Sequence, residues 1–280
     1  MYRTILVPID GSPASRNAFE CSLSIARATG ATIRAVFVVE PVEYDFADET
    51  AVRSDARRRG RETLSSVVET GIDADLTIER DVREGVPYRE IASLAQTEAD
   101  LIVLGTRGPT AETGPGSTIR RVLTTTDTPV LAVPPEASFA KDGPRHILVT
   151  IDGSESASRA ADHALRFAAS VGSTVDILHV IDETNPMLAA PSRPMDELAR
   201  EGGHDLVEPI RIAARERDLS VSTAVTRGVP GAKILSHAND VGAELITMGM
   251  RGRATPSERL LGGTAMRVLR RTDRLVLVCD

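Results

Sequence analysis

The chain has no tryptophan, and aromatic residues make up only 3% of its 280 positions. Its core must therefore be built from Val, Ile, Leu and Ala, which suits buried parallel strands and Ala-rich helices. Cysteine is scarce. Cys21 and Cys279 lie far apart and neither belongs to a Cys-x-x-Cys pair, which excludes redox and metal spacings of that kind. Both are expected to behave as small buried hydrophobes. Lysine occurs only as Lys141 and Lys233, net charge is −7 and pI about 5.4. That balance argues against nucleic acid as a main partner, since the phosphate backbone rewards a basic face. No apolar run approaches the roughly 18 residues of a membrane-spanning helix. The opening "MYRTILVPID" carries neither a basic region nor a cleavage site, so the expectation is a cytoplasmic protein without a secretory signal. His146, His163, His179, His204 and His237 stand at no metal-ligand spacing, and no metal site is expected.

What the chain does have is itself, twice. "ILVPIDGS" (Ile5 to Ser12) returns as "ILVTIDGS" (Ile147 to Ser154), "REGVP" (Arg83 to Pro87) as "TRGVP", and "DLIVLGTRG" (Asp100 to Gly108) as "ELITMGMRG". The offset stays between 142 and 144 and the order is kept. That period is the size of a compact domain rather than of a solenoid repeat. The expected division is a first domain over 1–135, a Pro-, Gly- and charge-rich linker over 136–144, and a second domain over 145–280.

Within each half, short apolar runs rich in β-branched residues alternate with longer amphipathic stretches. "TILVPI", "TIRAVFVV", "DLTIERDV", "DLIVLG" and "PVLAVP" read as strands, as do "HILVTI", "TVDILHVI", "VSTAVT", "ELITMG" and "RLVLVC". "SRNAFECSLSIARATG" and "SASRAADHALRFAASVG" read as helices that stop at a glycine. Strands alternating with helices imply a parallel sheet with helices on both faces and right-handed crossovers. The expected architecture is two doubly wound α/β domains, each a five-stranded parallel sheet of order 3-2-1-4-5. The Pro- and acid-rich "EPVEYDFADET" and "DETNPMLAAPSRPMDE" are expected to be loops.

Ligands of open α/β sheets sit beyond the carboxyl ends of the strands where strand order reverses. Two loops of each half fall there. One is the Asp-Gly-Ser turn after strand 1, where Ser12 and Ser154 suit helix N-caps. Asp10 and Asp152 then have two readings, acceptors for ribose hydroxyls or acceptors within an Asx-type turn. The other is the Gly-x-Arg-Gly loop after strand 4, "GTRGPTAETGPGST" in the first half and "GMRGRATPSERLLGGT" in the second. Glycines there permit close backbone approach, and a following helix N-terminus favours anions. The loop is a phosphate cradle or only a turn. It is not a Walker loop, and the Gly-x-Gly-x-x-Gly fingerprint is absent. Arg107 and Arg251 either supply charge there or are solvated. The basic run "ARRRGRE" (Ala56 to Glu62), on a helical pattern, reads as a solvated face.

These residues resemble those of the universal stress protein family, in a tandem form that covers nearly the whole chain outside the linker. The family's signature is Gly-x-x-Gly, nine residues, then Gly followed by Ser or Thr. In the second half Gly249, Gly252 and Gly262 fit it, Gly263 stands where a hydroxyl is usual, and Thr264 follows. In the first half Gly105, Gly108, Gly116, Ser117 and Thr118 match, but only seven residues intervene. The resemblance places Asp10 and Asp152 on the ribose side. It places Val180, and Val38 or Val39 with Val39 taken, on the adenine side, and Pro8 and Met248 complete the expected nucleotide-binding set. It implies an adenine-nucleotide-binding stress-response or regulatory protein. ATP is the expected ligand, with ADP or AMP as alternatives and Mg²⁺ as companion, and the second domain is the better site. It also implies an intrachain pseudo-dimer through the fifth strands, with homodimerisation a further expectation. The competing readings are a protein-interaction module without nucleotide, and a slow ATPase modifying its own Ser117, Thr118 or Thr264. No catalytic residue is assigned.

Overall fold

The structure, a computed structural model, describes residues 2–41, 49–69, 76–108, 114–137, 142–185, 188, 192–252 and 260–280. The chain divides into two compact units, Met1–Asp142 and Gly143–Asp280.

The first unit runs β1 (Thr4–Pro8), α1 (Pro13–Thr29), β2 (Thr32–Val39), α2 (Glu49–Glu69), β3 (Ile78–Glu84), α3 (Pro87–Glu98), β4 (Leu101–Gly105), α4 (Ser117–Thr125) and β5 (Val130–Val133). Its strands are parallel in the order β3-β2-β1-β4-β5. The second unit repeats this with β6 (His146–Ile151), α5 (Glu155–Val171), β7 (Thr174–Asp182), α6 (Arg193–Arg215), β8 (Val221–Gly228), α7 (Pro230–Asp240), β9 (Leu245–Gly249), α8 (Gly263–Arg271) and β10 (Leu275–Cys279). Its order is β8-β7-β6-β9-β10. Helices cover both faces of each sheet. The expected strand order therefore holds in both units.

The central strands show why. β1, β4 and β5 are buried along nearly their whole length, as continuous apolar strands covered on both faces must be. Ile5, Leu6, Ile102, Phe19 and Ile25 are almost fully buried, and Ile147, Leu148 and Ala164 repeat the pattern in the second unit. The long helices α1 and α5 carry the caps that the sequence implied. Ser12 Oγ accepts from Ser15 N at 3.2 Å and Ser154 Oγ from Ala157 N at 3.2 Å. Both helices close on left-handed glycines, Gly30 and Gly172, each at φ 72°.

Two boundaries differ from the sequence reading. β3 starts at Ile78 and runs on to Glu84, later than "DLTIERDV", whose Asp75 lies outside the described residues. The stretches expected to be loops are partly helical. Glu49 and Thr50 already belong to α2, and Arg193–Glu197 form the first turn of α6. Pro194 sits in that first turn, where its missing N–H costs no intrahelical bond, and Asp196 complements the helix dipole. Proline there starts a helix rather than breaking one. Residues 42–48, the rest of the first such stretch, lie outside the described residues.

His163, on α5, is half-buried, and that burial holds its imidazole below the ordinary value of 6.5, against the opposing charge of Asp162. The folded state thus binds this proton less readily than the unfolded chain. Its contribution to stability is present above pH 6.5 and is lost as pH falls through that value. The expected outcome is a urea midpoint that drops between pH 7.5 and 5.5, with a smaller drop in His163→Gln. An equal drop in both proteins would place the sensitivity elsewhere.

Candidate functional site

In the first unit, strand order reverses between β1 and β4. The chain leaves β1 through Ile9 and Asp10 and turns at Gly11, whose φ of 82° favours glycine. Asp10 Oδ1 accepts from Ser12 N at 2.9 Å, so the Asx-type turn exists. The second carboxylate oxygen looks the other way. A Cβ on Gly108 would lie 3.3 Å from Asp10 Oδ2. The two readings of Asp10 are therefore compatible, one oxygen for the turn and one beside the glycine loop.

The two glycines of Gly-x-Arg-Gly have different duties. A Cβ on Gly105 would sit 2.8 Å from the Ala14 carbonyl carbon and 2.9 Å from Ser15 N. This glycine lets β4 end against the first turn of α1. Gly108 is the one that brings backbone beside Asp10. The loop is tied down at two points: Ser12 Oγ donates to Arg107 O at 3.2 Å, and Gly116 N donates to Thr106 O at 2.8 Å. Gly116 caps α4, and neither it nor the first turn makes a side-chain capping bond. The N–H groups of Ser117 and Thr118 thus open the helix beside the loop, an arrangement that attracts anions.

Around these elements lies a cavity of about 470 Å³, within the range of small-molecule sites. Its polar lining comes from Asp10, Ser12, Ser15, Thr106, Arg107, Gly108, Gly116, Ser117 and Thr118 and its apolar lining from Pro8, Ile9, Val36, Val38, Pro87, Ile91, Leu104 and Ile119, with Gly105 and Glu40 completing the wall. Of the expected site residues in this unit, Pro8, Asp10, Gly105, Gly108, Gly116, Ser117 and Thr118 all line it. Val39 does not. It is 7% exposed within β2, and its neighbour Val38 faces the cavity, because successive strand residues point to opposite faces. That alternation, extended from Val38, would also have found Val36 and Glu40. Pro87 and Ile91 enter at the start of α3, just after the repeated Gly-Val-Pro.

The second unit reproduces the local geometry. Asp152 Oδ1 accepts from Ser154 N at 2.9 Å and Ser154 Oγ at 2.6 Å. A Cβ on Gly252 would lie 3.1 Å from Asp152 Oδ2. Gly249 abuts α5, where a Cβ would meet Ser156 Oγ at 2.5 Å and Ala157 N at 2.6 Å. Ser156 Oγ donates to Arg251 O at 2.7 Å, and Gly262 N to Met250 O at 2.9 Å. Gly262 caps α8, which begins at Gly263 and Thr264. Met248 is buried in β9 and Val180 is half-buried near the end of β7. Residues 109–113 and 253–259, the loop tips, lie outside the described residues.

Both loop arginines are half-buried and ion-paired. Arg107 pairs with Glu136 at 3.2 Å, and Arg251 pairs with Asp280, whose side chain is 6% exposed. Each arginine thus ties its loop to the segment just past the fifth strand. The basic run of α2 is also occupied: Arg57 pairs with Glu84, and Arg58 pairs with Asp55 and Glu62. In the second unit the corresponding tie has the opposite sign, Arg227 to Asp196. Cys21 and Cys279 are buried and outside any disulfide, and burial pushes the Cys279 thiol up to about 12, too high for a thiolate nucleophile at neutral pH. Among the described residues, no group of His, Cys, Asp and Glu is placed to hold a metal ion, and no helix is long and apolar enough to cross a membrane.

Fold and loop placement define a doubly wound α/β protein, present in two copies, with a glycine loop and a helix N-terminus at each topological switch. A model of the universal stress protein family matches residues 1–134 and again 143–280. The chain belongs to that family, as a tandem of two such units. A universal stress protein of Mycolicibacterium smegmatis is 28% identical over 286 residues, covering 98% of this chain and 96% of the relative. One from Methanocaldococcus jannaschii is 30% identical over 138 residues, covering 48% of this chain and 81% of the relative. Among solved structures, a universal stress protein from Archaeoglobus fulgidus superposes with a TM-score of 0.72, covering 99% of this chain and 96% of that one at 21% identity, which bears on the fold.

Proposed function

We propose that this tandem universal stress protein binds adenine nucleotides, ATP first among them, as a regulatory protein of the stress response. The observation that carries the reading is the first unit's cavity. It combines apolar lining from Val36, Val38, Pro87 and Ile91 with a glycine-lined helix N-terminus suited to phosphate. The second unit repeats the Asp, the two glycines and the capping glycine, and its loop has the full nine-residue spacing. We take it as the tighter site, because backbone donors hold most of a phosphate chain. A cytoplasmic setting belongs to the same proposal and is supported by two buried cysteines that form no disulfide. Pairing of the fifth strands also belongs to it and rests on their apolar sequence. Turnover does not: Arg251 is ion-paired with the buried Asp280, whereas phosphoryl transfer wants cationic charge placed on the transferring group.

The test is a thermal-shift and calorimetric titration with ATP, ADP and AMP, with and without Mg²⁺. Saturable binding of at least one nucleotide supports the reading, and none with any of them overturns it.

The second unit's missing hydroxyl gives a sharper expectation. A Cβ on Gly263 meets nothing within 4 Å, so Gly263→Ser fits. It places a hydroxyl where the first unit has Ser117 and removes a glycine from the helix start. A hydrogen bond to a charged phosphate contributes about 1.5–3 kcal/mol, so ATP should bind this unit about tenfold more tightly or better. Calorimetry on a Gly116→Asp background reads this unit alone. Unchanged affinity would mean that no phosphate comes to the start of α8.

A further inference from the structure

One wall of the first unit's cavity has a chemical gradient that phosphate binding does not use. Val36, Val38 and Glu40 alternate along β2 and its outer end, so they share one face. Val36 is buried, Val38 half-buried and Glu40 exposed. With Pro8, Pro87 and Ile91 the valines form an apolar slot, and the Glu40 carboxylate stands at its outer edge. The other cavity carboxylate, Asp10, is engaged by Ser12 N and lies beside Gly108. A flat heteroaromatic ring held by Val38 and Pro87 would present its polar edge to Glu40. An ionised carboxylate only accepts hydrogen bonds, so it favours a ring bearing an N–H donor at that edge.

The second unit differs at this position. The repeat offset that relates Asp10 to Asp152 relates Glu40 to Asp182. Asp182 is shorter, and its Oδ1 already accepts from Thr184 N at 2.8 Å and Thr184 Oγ1 at 2.7 Å. The same acid type is there a turn-former.

We propose that Glu40 is a specificity-determining residue of the first unit, selecting nucleobases with an exocyclic amino group by accepting its hydrogen bond, and that the second unit selects less because Asp182 is one carbon shorter and gives one carboxylate oxygen to Thr184. The inference rests on the nucleotide reading above. It divides the tandem into one unit that discriminates among bases and one that does so less.

The test compares ATP with purine riboside triphosphate, which lacks the amino group and adds neither bulk nor an acceptor. Calorimetry is done on the full chain carrying Gly262→Asp, which silences the second unit, with Glu40 intact, Glu40→Gln or Glu40→Ala. Glu40 is exposed, so neither change endangers folding. With Glu40 intact, ATP should bind about tenfold more tightly than the analogue, a ratio typical of one charge-assisted hydrogen bond at a partly wet site. The ratio should shrink in Glu40→Gln, whose neutral amide accepts more weakly, and approach one in Glu40→Ala. An unchanged ratio in Glu40→Ala overturns the proposal. So does a loss of discrimination between ATP and 2′-deoxy-ATP with the amino-group ratio kept, which would assign Glu40 to the sugar. If wild type binds ATP but Gly262→Asp does not, the first unit takes no nucleotide and the proposal falls while the functional reading stands. If wild type binds none, both fall.

Discussion

Gly262→Asp is expected to abolish nucleotide binding in the second unit, lowering its affinity by about a hundredfold or more, as introduced like charge costs several kcal/mol in a recognition site, while the unit stays folded. Gly262 caps α8 and its N–H is bonded to Met250 O at 2.9 Å. An added Cβ would lie 3.0 Å from Met250 O and 3.8 Å from Gly252 N. The side chain therefore enters the space between the glycine loop and the helix start, and its carboxylate takes the helix N-terminus that the phosphates need. Aspartate is itself a good N-cap, so α8 should persist. Gly116→Asp makes the same change in the first unit with more room, since the nearest atoms to its Cβ are Thr106 O at 3.7 Å and Gly108 N at 3.9 Å. Calorimetric titration of each variant, with its melting temperature, checks the point. Unchanged stoichiometry and affinity in both variants would mean that the glycine loops are turns and nothing more.

Gly249→Ala is expected to destabilise the second unit by about 3 kcal/mol, at the upper end of the range for overpacking a tight core. The added methyl would stand 2.6 Å from Ala157 N and 2.5 Å from Ser156 Oγ. Neither can easily move. Ala157 N is bonded to Ser154 Oγ at 3.2 Å and Ser156 Oγ to Arg251 O at 2.7 Å, so relieving the clash breaks the cap of α5 or releases the loop. The unit should melt on the order of 10 °C lower, given about 2–4 °C per kcal/mol for a chain of this size. Gly263→Ala, with nothing within 4 Å of its Cβ, is the matched control and should melt as wild type does. Equal melting of both variants would show that β9 does not need its close approach to α5.

The contrast between these glycines shows where sequence reading reaches and where it stops. The duplication, strand order and helix caps were legible because each is written locally: an apolar run, a Ser before a helical pattern, a Gly after it. Asp10 and Gly108 were legible together because they follow the strands that flank the reversal, and Gly116 because it precedes a helical pattern. The division of labour between Gly105 and Gly108 was not, since both are glycines at a strand end and only the approach of Ala14 separates packing from cavity wall. Val38 rather than Val39 lines the first unit's cavity, a difference of one residue of register, which moves a side chain to the other face of the sheet. The partners of Arg107 and Arg251 lie 29 positions away along the chain, and no local pattern announces an ion pair at that distance. Pro194 read as a breaker because its position within a first turn depends on where the helix starts.

The central claim is that each unit ends its β1 and β4-type strands in a nucleotide site. Calorimetric titration of ATP into the wild-type chain, Gly116→Asp, Gly262→Asp and the double variant tests it most directly. The account expects saturable binding in wild type, a reduced stoichiometry in each single variant and none in the double variant. In parallel, ATP at about 100 times its dissociation constant should stabilise the wild-type chain by roughly 2.7 kcal/mol. Binding that survives in the double variant, or no binding in wild type, would contradict the claim.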